Sequence, residues 1–176
     1  MEIEHCWFPD DLLYDEENNT WARVAIDGEV TVGITSILSA IAGKLTSARL
    51  KNVGSLVAKG ASLGTLESER FVGPIPSPLT GTILATNGAV TVRPKILNDS
   101  TYEEGWIATL KPSRLAEESR LLSSPQNAES ALRRKIASHH ARCFKAFPDH
   151  EMFEIGVECS AVLLKLNELM SSSPSG

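Results

Sequence analysis

Histidine and cysteine are the side chains of this sequence that could most directly bind a metal ion. Five of them cluster near the carboxyl end: His139, His140, Cys143, His150 and Cys159. Imidazole and thiolate are good zinc ligands, but this spacing matches no zinc-finger pattern. His139 and Cys143 also share a helical stripe with Leu132 and Ile136, where both residue types occur as core. We therefore predict no metal site and favour a core role over metal binding for the candidates His139, Cys143, His150 and Cys159.

Catalysis by the chain itself is not indicated. No nucleophile, base and orienting group stand in a recognisable arrangement, so we predict a protein that is not an enzyme. The formal net charge of -5 argues against nucleic-acid binding. No apolar run has the length of a membrane span, and no signal-peptide pattern opens the chain. The three cysteines suggest no disulfide framework, and we predict a cytoplasmic protein with no membrane contact.

The charges are unevenly distributed along the sequence. Residues 1–30 hold nine acids and the single base Arg23, whereas residues 131–148 hold five bases and no acid. The favoured interpretation is that the two ends of one fold face each other or the solvent. The alternative is a basic docking patch for an acidic partner.

Many short β runs, separated by glycines, predict a mainly β domain of the sandwich or small-barrel type. WARVAI and EVTVGIT flank Asp27-Gly28, which is a strong hairpin signal. Thr35 or Ser36 can begin a short helix that ends at Gly43. Further strands are predicted in LTSARL, SLVAKG, ASLGTLES, GTILATN, AVTVRP and WIATLKP.

The sequence divides into four parts. We predict an acidic, initially irregular lead (1–20), a β domain (21–122), a helical extension (123–170) and a disordered tail (171–176). The extension contains two amphipathic helices, beginning at Ser124-Pro125 and near Asp149, that favour an antiparallel hairpin. The apolar face of the second helix can pack on the β domain, on the first helix or on a second copy, and the last case predicts a homodimer.

Residues 53–81 resemble the lipoyl-lysine region of the glycine cleavage system H-protein family. The positions in register with that region are Val53, Gly54, Val57, Gly60, Gly64, Glu67, Ser68, Ser77, Pro78 and Gly81. WARVAIDGEVTVGIT resembles the opening block of the family, and LNDSTYEEGWIATLKPS resembles its closing block. Because several blocks match in the right order, the resemblance over about residues 20–120 is specific.

The resemblance implies a fold and a role. The fold is a flattened barrel or sandwich of the lipoyl (barrel-sandwich hybrid) type, here followed by the C-terminal helical hairpin. In the family, a lysine at a hairpin tip holds lipoate, and the cofactor rather than the protein performs the chemistry.

Arg70 occupies the position of the lipoyl lysine in this sequence. The guanidinium group stays protonated, so it cannot serve as an acyl acceptor, and we predict no cofactor. The nearest lysine before the turn is Lys59 and the nearest after it is Lys95, but neither is predicted at the tip. Arg70 and Phe71 form a recognition tip with Glu67 and Ser68 or, in the slightly favoured alternative, an exposed arginine and a phenylalanine packed under its own turn.

Two functions follow from the resemblance. The favoured one is a non-catalytic, unlipoylated binding or regulatory module of a lipoate-dependent or glycine-cleavage-type complex. Its partners would be proteins, such as glycine-cleavage-type or lipoate-handling enzymes. The alternative is a genuine lipoyl carrier in glycine cleavage that uses an unusual attachment site.

Overall fold

The computed structural model describes residues 1–139. Its strands are β1 (Glu2–Ile3), β2 (Cys6–Trp7), β3 (Leu13–Asp15), β4 (Thr20–Val24), β5 (Val30–Ile34), β6 (Leu45–Leu50), β7 (Leu56–Val57), β8 (Ser62–Ser68), β9 (Val72–Pro76), β10 (Gly81–Thr86) and β11 (Trp106–Pro112). Its helices are α1 (Ser36–Ala42), α2 (Gly88–Val92), α3 (Ile96–Asp99), α4 (Leu115–Glu118), a 3-10 turn (Ser119–Leu121) and α5 (Pro125–His139).

Two antiparallel sheets form the body of the fold. One has six strands in the order β3-β4-β5-β11-β10-β7, and the other has three in the order β6-β8-β9. Both sheets contribute buried side chains to a single large core, which also receives Leu38 of α1 and Leu97 of α3. The prediction of a mainly β, sandwich-like fold is confirmed. Within residues 1–139 neither sheet closes on itself, so the predicted flattened barrel or sandwich takes its sandwich form.

The local signals in the first third of the sequence are confirmed. β4 and β5 pair as an antiparallel hairpin across Asp27-Gly28. The Thr35 hydroxyl caps α1 by accepting a hydrogen bond from the Leu38 amide, and the helix ends at Gly43. These elements depend on neighbouring residues, which is why the sequence predicted them.

The predicted strand AVTVRP is wrong, because most of this segment forms α2. The Asn87 side chain caps the helix by accepting from the Ala89 amide at 3.1 Å, and its amide group donates to the carbonyls of Glu104 and Trp106. Val90 is the buried residue of α2, whereas Val92 is exposed. Tertiary anchoring of Asn87 thus outweighs the β propensity of the valines.

Strand β9 was not predicted, because its sequence VGPIP contains two prolines. It lies at the edge of the three-stranded sheet, beside β8. A proline lacks the N–H group that would donate to a neighbouring strand. It is tolerated in an edge strand because one side of that strand pairs with no other strand.

The acidic lead is ordered, in contrast to the irregular start that the sequence predicted. β1 and β2 form a small hairpin, and β3 joins the six-stranded sheet. The lead and α5 bury a second core together, which includes Phe8, Tyr14, Trp21, Leu132 and Ile136. The N-terminal segment and the last described helix are therefore one structural layer.

Charges also join the two ends. Arg133 of α5 lies 3.8 Å from Glu4, and the Lys135 ammonium donates to the Glu17 carbonyl and to Asn19. Burial lowers the pKa of Lys135, and the nearby carboxylates of Asp15, Glu17 and Glu16 oppose that shift. The interpretation that the two ends face each other is confirmed for the described part of α5.

Cys6 is buried and disulfide-bonded, which the odd number of cysteines did not predict. Cys143, Cys159 and His150 lie outside the described residues, as do the second predicted helix, the predicted homodimer contact and the tail 171–176. His139 is exposed at the end of α5, so its predicted core role is wrong.

Candidate functional site

Arg70 lies in the tight turn between β8 and β9. The Ser68 amide donates to the Phe71 carbonyl at 2.7 Å, which leaves Glu69 and Arg70 as the two residues of the turn. Glu69 is exposed and Arg70 is partly exposed. We call Glu69–Phe71 the hairpin apex. The predicted placement of Arg70 at a hairpin tip therefore agrees with the geometry.

Ser68 attaches this hairpin to the neighbouring helix. Its hydroxyl donates to the Ala42 carbonyl at the end of α1, at 2.6 Å. The same hydroxyl accepts a longer hydrogen bond, 3.4 Å, from the Arg70 amide. Ser68 therefore joins the apex to a helix that precedes it by more than 20 residues.

Asn98 completes the attachment from the other side. Its side-chain amide donates to the Gly43 carbonyl at 2.8 Å and to the Ser39 hydroxyl at 3.0 Å. Its side-chain carbonyl accepts from the Leu45 amide at 3.0 Å. Leu45 pairs directly with Ser68. We call Ser68 with its contacts to Ala42, and Asn98 with its contacts to Gly43 and Leu45, the hairpin base.

Phe71 turns back toward the protein. Its ring is partly buried and packs against the large core. A β-carbon placed on Gly73 would lie 2.6 Å from the ring, so the ring occupies the space that a side chain at residue 73 would need. This geometry corresponds to a phenylalanine packed under its own turn.

Glu67 lies on the outer face of the three-stranded sheet. It pairs with Ser47 on one side and Val72 on the other, and directly opposed residues share a face of a sheet. Val72 is 73% exposed. The structure thus brings Glu67 and Ser68 next to the apex, with Ser68 in the base and Glu67 on the surface.

The two lysines that the sequence offered as replacements are engaged elsewhere. The Lys59 ammonium donates to Asp15 at 2.8 Å and to the Pro78 carbonyl at 3.0 Å. Lys95 forms an ion pair with Asp99 in α3. Neither residue belongs to the hairpin.

Lys44 is the lysine that sequence reasoning missed. It is exposed and immediately precedes Leu45, which pairs with Ser68. This register brings Lys44 level with the beginning of the apex. No local signal could have shown this, because the pairing joins residues that are 23 positions apart in the sequence.

The ion pair of Lys59 with Asp15 is a buried electrostatic feature of the scaffold. Asp15 is 5% exposed. Burial alone would raise the pKa of Asp15, but hydrogen bonds from Lys59 and Asn18, together with the charge of Lys59, lower it below its ordinary value of 3.8. Asp15 therefore stays ionised and holds Lys59 in place at neutral pH.

Within residues 1–139, no group of three or more histidine, cysteine, aspartate or glutamate side chains is arranged to hold a metal ion. In the same residues, none of the helices combines the length and the apolar character needed to cross a membrane.

Comparison with known proteins gives a consistent result. The sequence model of the family described as Glycine cleavage H-protein matches residues 12–135. The chain is 38% identical over 142 residues to the glycine cleavage system H protein 2 of Aquifex aeolicus, covering 81% of this chain and 88% of that protein. It is 35% identical over 146 residues to the probable glycine cleavage system H protein 2 of Saccharolobus solfataricus, covering 81% of this chain and 98% of that protein.

A solved structure agrees with these relatives. The crystal structure of a glycine cleavage system H protein from Mycobacterium marinum superposes with a TM-score of 0.62 at 29% sequence identity. The match covers 70% of this chain and 98% of that one.

Proposed function

The chain belongs to the glycine cleavage H-protein family, and from this premise we propose that it is an unlipoylated, non-catalytic member that acts as a binding or regulatory module. Its partners on this proposal are proteins of a lipoate-dependent or glycine-cleavage-type complex. The observation behind it is Arg70, which lies in the β8–β9 turn where the family motif has its lipoyl lysine.

The side-chain chemistry at this turn does not fit lipoate. Attachment needs a neutral, nucleophilic amine, which lysine provides by losing a proton. The guanidinium group of Arg70 is always protonated and spreads its charge over a planar group. Its Nη2 atom is buried, and the exposed part of the group can instead donate to a carboxylate or a phosphate.

The hairpin base supports a binding role. Ser68 bonds the hairpin to the end of α1 at 2.6 Å, and Asn98 ties the end of α1 to β6, the strand that pairs with β8, so the apex is presented on a fixed support. A fixed support lowers the entropy cost of recognition by Arg70. The site therefore retains what positions a tip residue, while the tip residue itself has changed its chemistry.

Mass spectrometry tests the absence of lipoate. The intact protein would be purified from its own host and weighed before and after treatment with lipoate, ATP and a lipoate ligase. We expect an unmodified mass in both samples. A mass increase of one lipoyl group in the host sample would contradict the proposal.

Binding measurements test the role of the apex. Purified lipoate ligase and purified glycine-cleavage enzymes would be titrated with the chain, its Arg70→Ala variant and its Arg49→Ala variant. Arg49 is an exposed arginine on β6, away from the turn, and serves as the matched control. We expect at least one of these proteins to bind, and Arg70→Ala to weaken binding about tenfold while Arg49→Ala has little effect. Equal effects of the two variants would count against recognition by the apex.

One observation favours a second function, that of a lipoyl carrier with an unusual attachment site. Lys44 is exposed and lies level with the beginning of the apex. Its amine could form an amide with a carboxyl group that a ligase has activated with ATP. If the mass increases, Lys44→Arg should abolish the increase, whereas Lys111→Arg on the other sheet should not.

A further inference from the structure

Three exposed aliphatic side chains lie together at the β7 end of the six-stranded sheet. Leu56 is 73% exposed, Val53 is 59% exposed and Leu84 is 37% exposed. Leu56 belongs to the edge strand β7, Val53 to the turn before it and Leu84 to the neighbouring strand β10. Single exposed apolar residues are ordinary, but adjacent ones form a patch that has a cost in water.

The backbone holds this patch rigidly. The turn at Asn52–Ser55 is closed by a hydrogen bond from the Ser55 amide to the Asn52 carbonyl, with Gly54 at a φ of +88°. The Gly54 amide donates to the Ile83 carbonyl at 2.7 Å, and the Ile83 amide donates to the Ser55 carbonyl at 2.9 Å. The turn that carries Val53 is therefore fixed beside Leu84.

Leu84 itself lies at an irregularity of the sheet. The register between β10 and β11 shifts between Ile83 and Ala85, so Leu84 is the extra residue of a β-bulge. Bulges occur preferentially at sheet edges and redirect side chains there. This one places a leucine toward the solvent near an edge strand.

A lysine shares the same face. Leu56 pairs with Thr82, and Thr82 pairs with Lys111, so the three residues form one row across β7, β10 and β11. Directly opposed residues point to the same side of a sheet, and two strand spacings place Leu56 about 10 Å from Lys111. We call Val53, Leu56, Thr82, Leu84 and Lys111 the Leu56 face.

The charge of this region is opposite to that of the whole chain. The protein has 22 acids and a formal net charge of -5, yet residues 50–57, 79–87 and 106–113 contain no acid. Lys51 and Lys111 are their only charged residues, and both are exposed. Leu110 pairs with Val30, so in the same register Lys111 lies opposite the exposed acid Glu29 of the next strand. The Leu56 face is thus an apolar surface with two exposed lysines beside it, Lys51 and Lys111, on an acidic protein.

We propose that the Leu56 face is a docking surface for a protein partner whose own surface has an apolar centre and an acidic rim. Apolar contact at Leu56 and Leu84 would provide the affinity, and the lysines would meet the partner's carboxylates. Because the acids of this chain repel an acidic partner elsewhere, its approach is oriented toward this face. The surface belongs to a different sheet from Arg70, so it does not depend on whether the chain is lipoylated.

Two other occupants fit less well. Anionic lipid surfaces are usually recognised by clusters of about four to eight basic residues, whereas this region has two, Lys51 and Lys111. A second copy of the chain would have to present an acidic, apolar surface to this face. Many of its described acids lie in the lead, where basic residues of α5 already lie beside them.

Carbodiimide cross-linking tests the proposal, because it joins a lysine amine directly to a carboxylate in contact with it. The full chain would be cross-linked in an extract of its own host, and the linked peptides would be mapped by mass spectrometry. We expect one protein to be linked at Lys111 and Lys51. Leu56→Glu should reduce these links about tenfold or more, as expected for the loss of an anchor residue.

Val92→Glu on α2 is the matched control, because Val92 is 88% exposed and belongs to none of the strands that form this row. Thermal unfolding would verify that both variants fold. Lys111→Glu provides a second variant. It should lower the rate of association with the purified partner and make that rate less dependent on salt concentration. Arg120→Glu, the control for this variant, should change neither. Cross-links that spread evenly over the lysines, that survive Leu56→Glu, that join two copies of the chain, or that are absent would overturn the proposal. The proposal would also be overturned if the chain formed no protein cross-links at Lys51 or Lys111 but bound vesicles of phosphatidylcholine and phosphatidylglycerol in a way that Leu56→Glu abolishes.

Discussion

The base and the apex of the Arg70 hairpin differ in what they retain from the family. In the base, Ser68, which is in register with the family motif on the predicted correspondence, bonds the hairpin to α1, and Asn98 bonds the end of α1 and the start of β6. The apex contains Phe71 and Arg70, and on the same predicted correspondence Arg70 replaces the lipoyl lysine. On that correspondence, the contacts that support the tip are present, and the residue that would perform its chemistry differs.

This difference indicates that support and chemistry are separable. A hairpin base is held by the interior of the fold, because its loss would leave buried polar groups without partners. An exposed turn residue has no such constraint, so its type is free to follow function. The experiments below test whether the base still supports the family's chemistry and how far the apex has become part of the scaffold.

The largest effect is expected from Arg70→Lys. This variant places a lysine amine on the retained base, so we expect a lipoate ligase with lipoate and ATP to add one lipoyl group to most of the protein. Intact mass would measure the change, against no increase for the unaltered chain. Arg49→Lys makes the same chemical change on β6 and should stay unmodified.

If the Arg70→Lys protein stays unmodified, the hairpin base and a lysine at residue 70 are not sufficient for lipoylation. That result would mean that the residues after Arg70, Phe71 to Pro74, also prevent recognition. The loss of the family's chemistry would then extend over the whole apex and not rest on one residue.

Much of this hairpin could be predicted from the sequence, but its surroundings could not. The motif spacing placed Arg70 in a turn, since spacing within a hairpin is local. It could not place Lys44 beside that turn, because Leu45 and Ser68 pair only once the sheet has formed. The role of Asn98 was equally hidden, since its partners Ser39, Gly43 and Leu45 lie more than 50 positions away.

The same reason explains the errors elsewhere. Asp27-Gly28 and Thr35 acted through their neighbours and were predicted correctly. The segment after Asn87 was predicted as a strand, but contacts of Asn87 with β11 and the preceding loop make it a helix. The lead gained its structure from α5, which follows it by more than 100 residues.

The stability of the hairpin base should depend on Asn98, and Asn98→Ala tests this. This change removes three hydrogen bonds and leaves the Leu45 amide and the Gly43 carbonyl without that partner, so we expect a loss of about 3 kcal/mol in the free energy of unfolding. Urea denaturation would measure it. Asn127→Ala on the exposed surface of α5 is the control and should change stability by less than about 0.5 kcal/mol. A small effect of Asn98→Ala would show that the base is not held in this way.

The scaffold beside the hairpin should respond to pH through Asp15. Asp15→Ala leaves Lys59 partly buried without its carboxylate, and we expect a loss of about 2 kcal/mol at neutral pH. The pKa of Asp15 in the folded protein lies below 3.8, so this stabilisation is present above that pH and is lost as pH falls through the folded value. The difference between the two proteins should therefore shrink in acid.

Urea titrations at neutral and acidic pH would follow this difference. Glu117→Ala breaks the exposed ion pair with Arg114 and should cost less than about 0.5 kcal/mol at either pH. A difference for Asp15→Ala that stays constant with pH would mean that the charge of Asp15 is not what stabilises the fold. Lys59 would then be less firmly tied to the scaffold than its contacts indicate.

The smallest effect concerns Phe71, and it decides whether the apex is scaffold or recognition surface. Since the ring is only partly buried against the core, Phe71→Ala should lower stability by about 1–2 kcal/mol. Gly73→Ala should also destabilise, because the new β-carbon would meet the ring at 2.6 Å. In the double variant the two losses should not add, since the contact they share is already gone. Val72→Ala, at a side chain 73% exposed, is the control that should change little. Additive losses would mean that the ring and residue 73 do not share this contact. A Phe71→Ala variant that keeps full stability but loses partner binding would assign the ring to recognition and not to the fold.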